Sequence, residues 1–230
     1  KAIGGLSDAA VKALGDKVAD LTAGQVTALK ATQVAALETT QIEALTDTQI
    51  KALSATQIKA LTGDQVGALK DTQIAELSVA QVKNLSAAQI GKFGGEQLAA
   101  LTEEHIGALT AAQFAGIDAA AFTAADLADT KIQAIGAKVI ATLSNDLIGA
   151  LGDKVADLTA TQFAALKPTQ IAVLGDDQVK ALADDQLGAM TAAQAKALTP
   201  AQIGALETDQ IAKLSTKAVA GMTFDQFAAM

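Results

Sequence analysis

The chain has 230 residues, a net charge of −8 and a hydrophobic fraction of 50%, and it contains no Arg, Cys, Trp or Tyr. Without Cys it has no thiolate nucleophile and no zinc–thiolate site, and without Arg it has no bidentate partner for phosphate. The negative charge argues against a nucleic-acid partner, and the longest apolar runs are too short for a membrane span.

One octapeptide recurs along almost the whole chain: Leu, Ser or Thr, two variable residues, Gln, Ile or Val, a variable residue, Ala. The octad Leu45–Ala52 is followed at once by Leu53–Ala60, and the register holds from Leu21 to Leu109. A fixed short period is typical of a solenoid, in which each unit buries its apolar face against its neighbours. Few residues remain from which an active site could be built.

The period predicts the secondary structure. Eight residues overshoot two turns of an α-helix by roughly 80°, so one continuous helix would not keep its leucines on one face. A β-solenoid is the alternative, but the Leu and Ile columns stand five and then three residues apart, which places them on opposite faces of a strand. We therefore expect an all-α solenoid or superhelix of about 28 short capped helices, one per octad.

The capping box carries this prediction. Ser or Thr followed three residues later by Gln supplies both halves of the box, and the flanking Leu and Ile or Val form a hydrophobic staple. Leu and Ile or Val should point inward, the Ala column should let turns approach, and the remaining variable positions should face solvent. The complete pattern recurs at Thr46, Ser54, Thr62, Ser78, Ser86 and Thr110.

Several units depart from the pattern at the cap. Pro168 and Pro200 fall at the first helical position, where a missing N–H is harmless. Gly replaces the cap hydroxyl at Gly15, Gly94, Gly152 and Gly175. Lys or Glu stands there at Lys30, Glu38, Lys70 and Glu207. In this last group the helix start is predicted to slide by two residues, so that Thr32, Thr40, Thr72 or Asp209 caps instead.

In chain order, the first irregularity is the seven-residue unit from Leu14 to Leu21, which recurs with the same sequence from Leu151 to Leu158. The match extends on both sides, so residues 138–230 look like a duplicate of residues 1–93. Between these copies the unit that begins at Ile117 has ten residues, and we expect a longer helix or a kink there. The whole of residues 1–230 is predicted to be a single octapeptide-repeat solenoid, irregular at residues 117–131.

Candidate chemistry is sparse. His105, the only imidazole, occupies the Gln column and is interpreted as a hydrogen-bonding substitute for Gln, because a general base would need an oriented partner. Two acidic pairs could attract Ca²⁺, but they fit better as first-turn residues favoured by the helix dipole. They are Asp176–Asp177 and Asp184–Asp185. We predict no catalytic, cofactor-binding or metal-binding residues, no cofactor and no enzymatic activity.

The aromatic and threonine side chains are interpreted as structural. Five of the six phenylalanines replace core residues, and Phe224 alone falls at a variable position; the five are Phe93, Phe114, Phe122, Phe163 and Phe227. Four threonines eight residues apart, Thr32, Thr40, Thr48 and Thr56, resemble the regular arrays of ice-binding solenoids. Local capping is the simpler explanation for them.

The tandem octads from Leu6 to Met230 resemble Leu-Thr-x-x-Gln-Ile-x-Ala arrays in very large bacterial surface or secreted proteins, including adhesin-like and RTX-type ones. That resemblance implies a cell-surface or secreted location and a structural role as a spacer or stalk. The alternative is a solenoid surface that binds a protein or another ligand. Partners would be proteins or other domains of the same chain. Since the chain begins at Lys1 without a Met or a signal-like segment, we expect it to be part of a longer protein.

Overall fold

The computed structural model describes residues 3–230, with the backbone alone at Ala124. The described part is all-helical, contains no strand, and divides into two compact units, one ending at Asp126 and one spanning Leu127–Met230. It holds 26 α-helices and three 3₁₀-helices. The predicted all-α solenoid of about 28 short helices is confirmed, and the β-solenoid alternative is wrong.

The first unit contains fourteen α-helices of four to six residues. They are α1 Asp8–Lys12, α2 Ala23–Thr27, α3 Ala31–Ala35, α4 Thr39–Ala44, α5 Asp47–Lys51, α6 Ala55–Ala60, α7 Gly63–Gly67, α8 Asp71–Ala75, α9 Val79–Asn84, α10 Ala87–Ile90, α11 Gly95–Ala100, α12 Glu103–Ala108, α13 Ala111–Phe114 and α14 Ala119–Ala124. The 3₁₀-helices of this unit are Ile3–Gly5 and Gly15–Asp20.

The second unit repeats the same kind of element. Its α-helices are α15 Asp129–Ala134, α16 Ala137–Ile140, α17 Asn145–Ala150, α18 Ala160–Ala164, α19 Pro168–Ile171, α20 Asp176–Lys180, α21 Asp184–Ala189, α22 Ala192–Ala197, α23 Pro200–Gly204, α24 Thr208–Ile211, α25 Thr216–Gly221 and α26 Phe224–Ala228. Its 3₁₀-helix is Gly152–Asp157.

In the regular octads each helix is short because the chain leaves the helical conformation at the leucine corner, whereas Leu14 and Leu151, before the seven-residue units, keep αR angles. Leu45 and Thr46 both adopt extended backbone angles, with ψ of 137° and 157°, and the next helix begins at Asp47. The Thr46 hydroxyl accepts the N–H of Gln49 while the Gln49 side chain accepts the N–H of Thr46, at 3.3 and 2.8 Å. These bonds satisfy two of the N–H groups that every helix start leaves unpaired.

The helices wind so that each one packs against the third helix further along. Contacts of this kind join α3 to α6, α6 to α9 and α9 to α12 in the first unit, and α18 to α21 and α19 to α22 in the second. Helices three octads apart are 24 residues apart, while the long-range glutamine bonds described below join residues 28 and 31 apart. One turn of the superhelix therefore contains between three and four octads.

The two apolar columns form the core, as predicted. In the octad that begins at Leu53 the side chains of Leu53 and Ile58 are 4% and 1% exposed. Small residues at the seventh and eighth positions let successive turns touch, which supports the predicted role of the Ala column. The closest approach at a glycine is between Gly116 and Ala87, where a Cβ on Gly116 would lie 2.2 Å from the Ala87 carbonyl oxygen.

Most cap predictions are confirmed. The six recurring Ser and Thr caps all form complete capping boxes, and Pro168 and Pro200 each open a helix. The predicted sliding of the helix start is wrong. The helices that follow Lys30, Glu38, Lys70 and Glu207 keep their register, because Gln still accepts the N–H of the cap residue at 2.6–3.0 Å.

The seven-residue units differ from the prediction. Gly94 and Gly175 are N-caps with extended angles, but Gly15 and Gly152 lie inside 3₁₀-helices with φ of 53° and 54°. Only a residue without a Cβ adopts this left-handed conformation easily. The positive-φ glycine and the tighter 3₁₀-helix accommodate a unit of seven residues in place of eight. Gly15 and Gly152 are therefore not N-caps.

The ten-residue unit also corrects an expectation. Its helix, α14, has six residues, as long as in many regular octads, and Asp118 caps it with bonds of 2.9 and 3.1 Å. The additional residues lie in the connection to α15, where Asp126 has a positive φ of 43°. The prediction of a longer helix in this unit is therefore wrong. The duplication of residues 1–93 as 138–230 stays a prediction, and Lys1, where it starts, lies outside the described residues.

Candidate functional site: the glutamine column

The polar side chains that the described structure buries all come from one position of the octad. They are seventeen glutamines and one histidine: Gln33, Gln41, Gln49, Gln57, Gln65, Gln73, Gln81, Gln89, Gln97, His105, Gln113, Gln162, Gln170, Gln178, Gln186, Gln194, Gln202 and Gln226. Within residues 3–230 no buried side-chain nitrogen or oxygen lacks a hydrogen-bond partner. Because a buried polar group without a partner is costly, the bonds of this column are a principal feature of the fold.

Gln57 illustrates the geometry. Its Oε1 accepts the N–H of Ser54 at 2.8 Å, and its Nε2 donates to the carbonyls of Val26 and Leu29 at 2.8 and 2.9 Å. The acceptor end closes the capping box of its own helix, and the donor end reaches back across one turn of the superhelix. One amide side chain thus links a helix start to a helix end 28 to 31 residues earlier.

The carbonyls that Gln57 contacts lie at the end of α2, where helices leave C=O groups without intrahelical partners. In the second unit Gln186 repeats the contact on Val155 and Leu158 at 2.8 and 2.7 Å. Gln162 reaches the equivalent carbonyls of Ile132 and Ile135 across 30 and 27 residues, because the seven-residue unit lies between them. We call each such contact a glutamine bridge. Where the start of the seven-residue unit supplies the acceptor the partner changes, because Gln41 and Gln178 donate to the carbonyls of Gly15 and Gly152 at 3.2 and 3.0 Å.

The chemistry of the amide explains why the column contains no Glu. A carboxylate could accept the cap N–H equally well, and Glu is common in capping boxes. It has no N–H to give to the two carbonyls. The sequence interpretation assigned Gln to capping alone and missed its role between turns. The complete absence of Glu from the column was the signal that could have revealed it.

His105 takes the place of Gln as predicted. The N–H of Thr102 donates to Nδ1 at 3.2 Å, and Nε2 lies 2.7 Å from the carbonyl oxygen of Leu77, 28 residues back. These two partners fix the neutral tautomer with the proton on Nε2. Burial lowers the pKa of His105, against smaller opposing effects from the Leu77 carbonyl and the Glu104 carboxylate.

The other predicted candidates lie at the surface. Asp176, Asp177, Asp184 and Asp185 are exposed, and Asp184 pairs with Lys213 at 2.7 Å, which raises the pKa of Lys213. Residues 3–230 contain no group of three or more His, Cys, Asp or Glu side chains able to hold a metal ion. Partial burial raises the pKa of Asp157, and the Asp129 carboxylate raises it further by a smaller amount.

The aromatic side chains follow the prediction with one exception. Phe93, Phe114, Phe122 and Phe163 are buried, and Phe224 is 84% exposed. Phe227 was predicted to pack in a core column but is 46% exposed.

These contacts define the class of protein: a tandem-repeat α-solenoid whose turns are joined by bridges from a buried amide column. The family model described as the ALTTAQ repeat matches residues 34–71, 48–79, 74–111, 155–192, 185–216 and 196–230. These matches cover about two thirds of the sequence, and the chain belongs to the ALTTAQ repeat family. A search of curated proteins finds no match. In the described residues no helix is long and apolar enough to cross a membrane.

Proposed function

We propose that the chain is a non-enzymatic structural module that acts as a spacer or stalk in a larger bacterial surface or secreted protein. The observation that carries the proposal is the glutamine column. The buried polar groups of the described structure are engaged in holding one turn to the next. The bacterial surface context rests on the resemblance of the octads to arrays in such proteins.

Repetition of one contact favours a spacer over an enzyme. In a quasi-one-dimensional array, length is added one unit at a time while each unit touches only near neighbours. The bridge of Gln57 and that of Gln186 have nearly the same geometry although they lie in different compact units. An active site would require one unit to differ from the rest in several reactive side chains at once.

The alternative function is a binding surface for a protein or another ligand. An open groove in the first unit supports it, with Glu43, Lys70, Asp71, Lys92 and Glu96 among its lining residues. Its charges have both signs and come from several different positions of the octad, among them the cap position of Lys70, which favours a solvated surface over a site for one ligand. Ice binding by the threonine array has even less support. Thr32, Thr40, Thr48 and Thr56 lie on four successive helices, which are spread around about one turn of the superhelix instead of along one face.

A test of the spacer changes the number of octads and measures length. The chain lacks Cys, so spin labels can be attached after Lys30 and Glu103, both exposed, are replaced by Cys. Deleting residues 45–76, which are four whole octads, should leave a folded helical chain with a shorter distance between the labels. Duplicating the same segment should lengthen that distance by a similar step.

The matched control deletes residues 45–72, which removes nearly as many residues but joins Ala44 to Gln73 and breaks the octad. This variant should lose helicity locally. If the two deletions behaved alike, or if the distance did not follow the number of octads, the spacer proposal would be wrong.

A further inference from the structure

His105 is the only member of the buried polar column that can change its charge near neutral pH. Its ring spans the interface between α12 and the corner after α8, with the Thr102 N–H on one side and the Leu77 carbonyl on the other. The side chain is 3% exposed. At the preceding position of the column, Gln97 donates to the carbonyls of both Val66 and Leu69. The neutral ring of His105 has a single N–H, which it donates to the carbonyl of Leu77.

Protonation removes one of these two bonds. The second proton goes to Nδ1, which is the atom that accepts the Thr102 N–H at 3.2 Å. Two N–H groups then face each other in a buried place, and the capping contact is lost. The bond from Nε2 to Leu77 survives, but a positive charge is left in the interface, where burial disfavours it.

The surrounding charges do not offset this effect. On α12 itself Glu103 and Glu104 are exposed, and the Glu104 carboxylate favours the charged ring only as a lesser influence than burial. On α9, which packs against α12, the charged side chain is Lys83, and it is exposed. Glu76, next to Leu77, already pairs with Lys51.

We propose that His105 makes the contact between α12 and the preceding turn acid-sensitive, so that mild acid loosens the first unit locally at this point and leaves the glutamine bridges closed. The proposal is independent of the spacer function. A chain with Gln at this position would have no such response.

The sign of the effect follows from linkage. The pKa of His105 in the folded chain lies below its ordinary value of 6.5, so the folded form binds fewer protons than the opened form. The contact is at full strength above pH 6.5 and weakens as the pH falls from there through the folded-state pKa. Because an exposed imidazole titrates near 6.5, the increase in local opening between pH 7.5 and pH 5.0 can reach at most about 30-fold.

The test uses the whole chain and His105→Gln, which restores the residue of the other units. Hydrogen exchange at pH 7.5 and 5.0, corrected for intrinsic rates, should show that peptides covering residues 77–85 and 98–109 lose protection in acid in the parent chain. Residues 45–60 should not lose it, and His105→Gln should keep its protection everywhere. Because the chain has a single imidazole, its NMR resonance reports the pKa of His105 directly. A pKa at or above 6.5, or the same acid response in both chains, would overturn the proposal.

Discussion

The regular stretch from Thr22 to Gln113 and the stretch from Asp118 to Leu158 show what the buried polar column adds to the fold. Both consist of short helices with a buried apolar column, and Ile140 and Ile148 are as fully buried as Ile42 and Ile50. In the second stretch α15 and α16 have no side-chain cap. The second stretch has Ala121, Lys131, Val139 and Leu147 where the first has Gln or His.

The comparison separates two physical contributions. Apolar burial forms short helices even where the cap hydroxyl and the column glutamine are both missing, as in α15 and α16, whereas the glutamine bridges add a directional bond between turns. The boundary between the compact units, after Asp126, falls in the stretch that supplies no glutamine to the column, as does most of the gap that the family matches leave between residues 111 and 155.

The largest effect is expected from Gln57→Glu. The carboxylate would still accept the Ser54 N–H, but it would face the carbonyls of Val26 and Leu29 with a buried negative charge and no donor. We expect a loss of about 3 kcal/mol in the free energy of unfolding at pH 7, measured by urea denaturation. The loss should shrink in acid, where a protonated carboxyl can donate.

The matched control for that substitution is Gln133→Glu, in the stretch that supplies no glutamine to the column. Gln133 is exposed and lies outside the column, so its change should alter the unfolding free energy by less than about 0.5 kcal/mol. Equal losses at the two positions would show that the bridges contribute nothing specific.

The close approach of turns just after α13 predicts a second effect. Gly116→Ala would place a Cβ 2.2 Å from the Ala87 oxygen, which forces the backbones of α10 and α13 apart. The expected loss is about 2 kcal/mol by thermal or chemical denaturation. Gly149→Ala, in the other stretch, has no atom within 4 Å of the new Cβ and should stabilise α17 by about 0.5–1 kcal/mol. If both substitutions lowered the unfolding free energy, or both raised it, this account of the two glycines would be wrong.

Hydrogen exchange should distinguish the two stretches in the unmodified chain. Local opening is easiest where the units of a repeat array are most weakly joined. Amides of residues 118–131 should exchange at least about tenfold faster, after correction for intrinsic rates, than those of residues 45–85, a difference of about 1.4 kcal/mol in opening free energy. Equal or greater protection at residues 118–131 would mean that apolar packing alone joins turns as firmly as the bridges do.

The smallest effects concern the caps. Replacing Thr46, Ser54 and Thr62 by Ala should each lower the unfolding free energy by about 1 kcal/mol, since each hydroxyl accepts an N–H of its own helix. Lys59→Ala, at an exposed variable position of the same stretch, should have almost no effect. Similar losses at Lys59 and at the three caps would show that the hydroxyls do not act as caps.

The sequence predicted most of the local structure and only part of the candidate site. The capping boxes, the core columns and the substitution of His105 for Gln were predicted correctly, because each depends on residues within one octad. The helix starts after Lys30 and Glu38 were not, because the prediction gave the hydroxyl more weight than the Gln. The bridges themselves were missed, since their acceptors are backbone carbonyls and the sequence indicates them only through the absence of Glu from the column.

The octad pattern therefore sets the local features of the protein: where each helix starts, where it stops and which side chains face inward. Those properties arise from bonds between residues three or four apart. The number of octads in one turn, the carbonyls that each Gln reaches and the places where glycine is needed for two backbones to meet become clear only in the folded chain. These depend on contacts 24 to 31 residues apart, whose positions are set by the angles of the leucine corners accumulated over three to four octads.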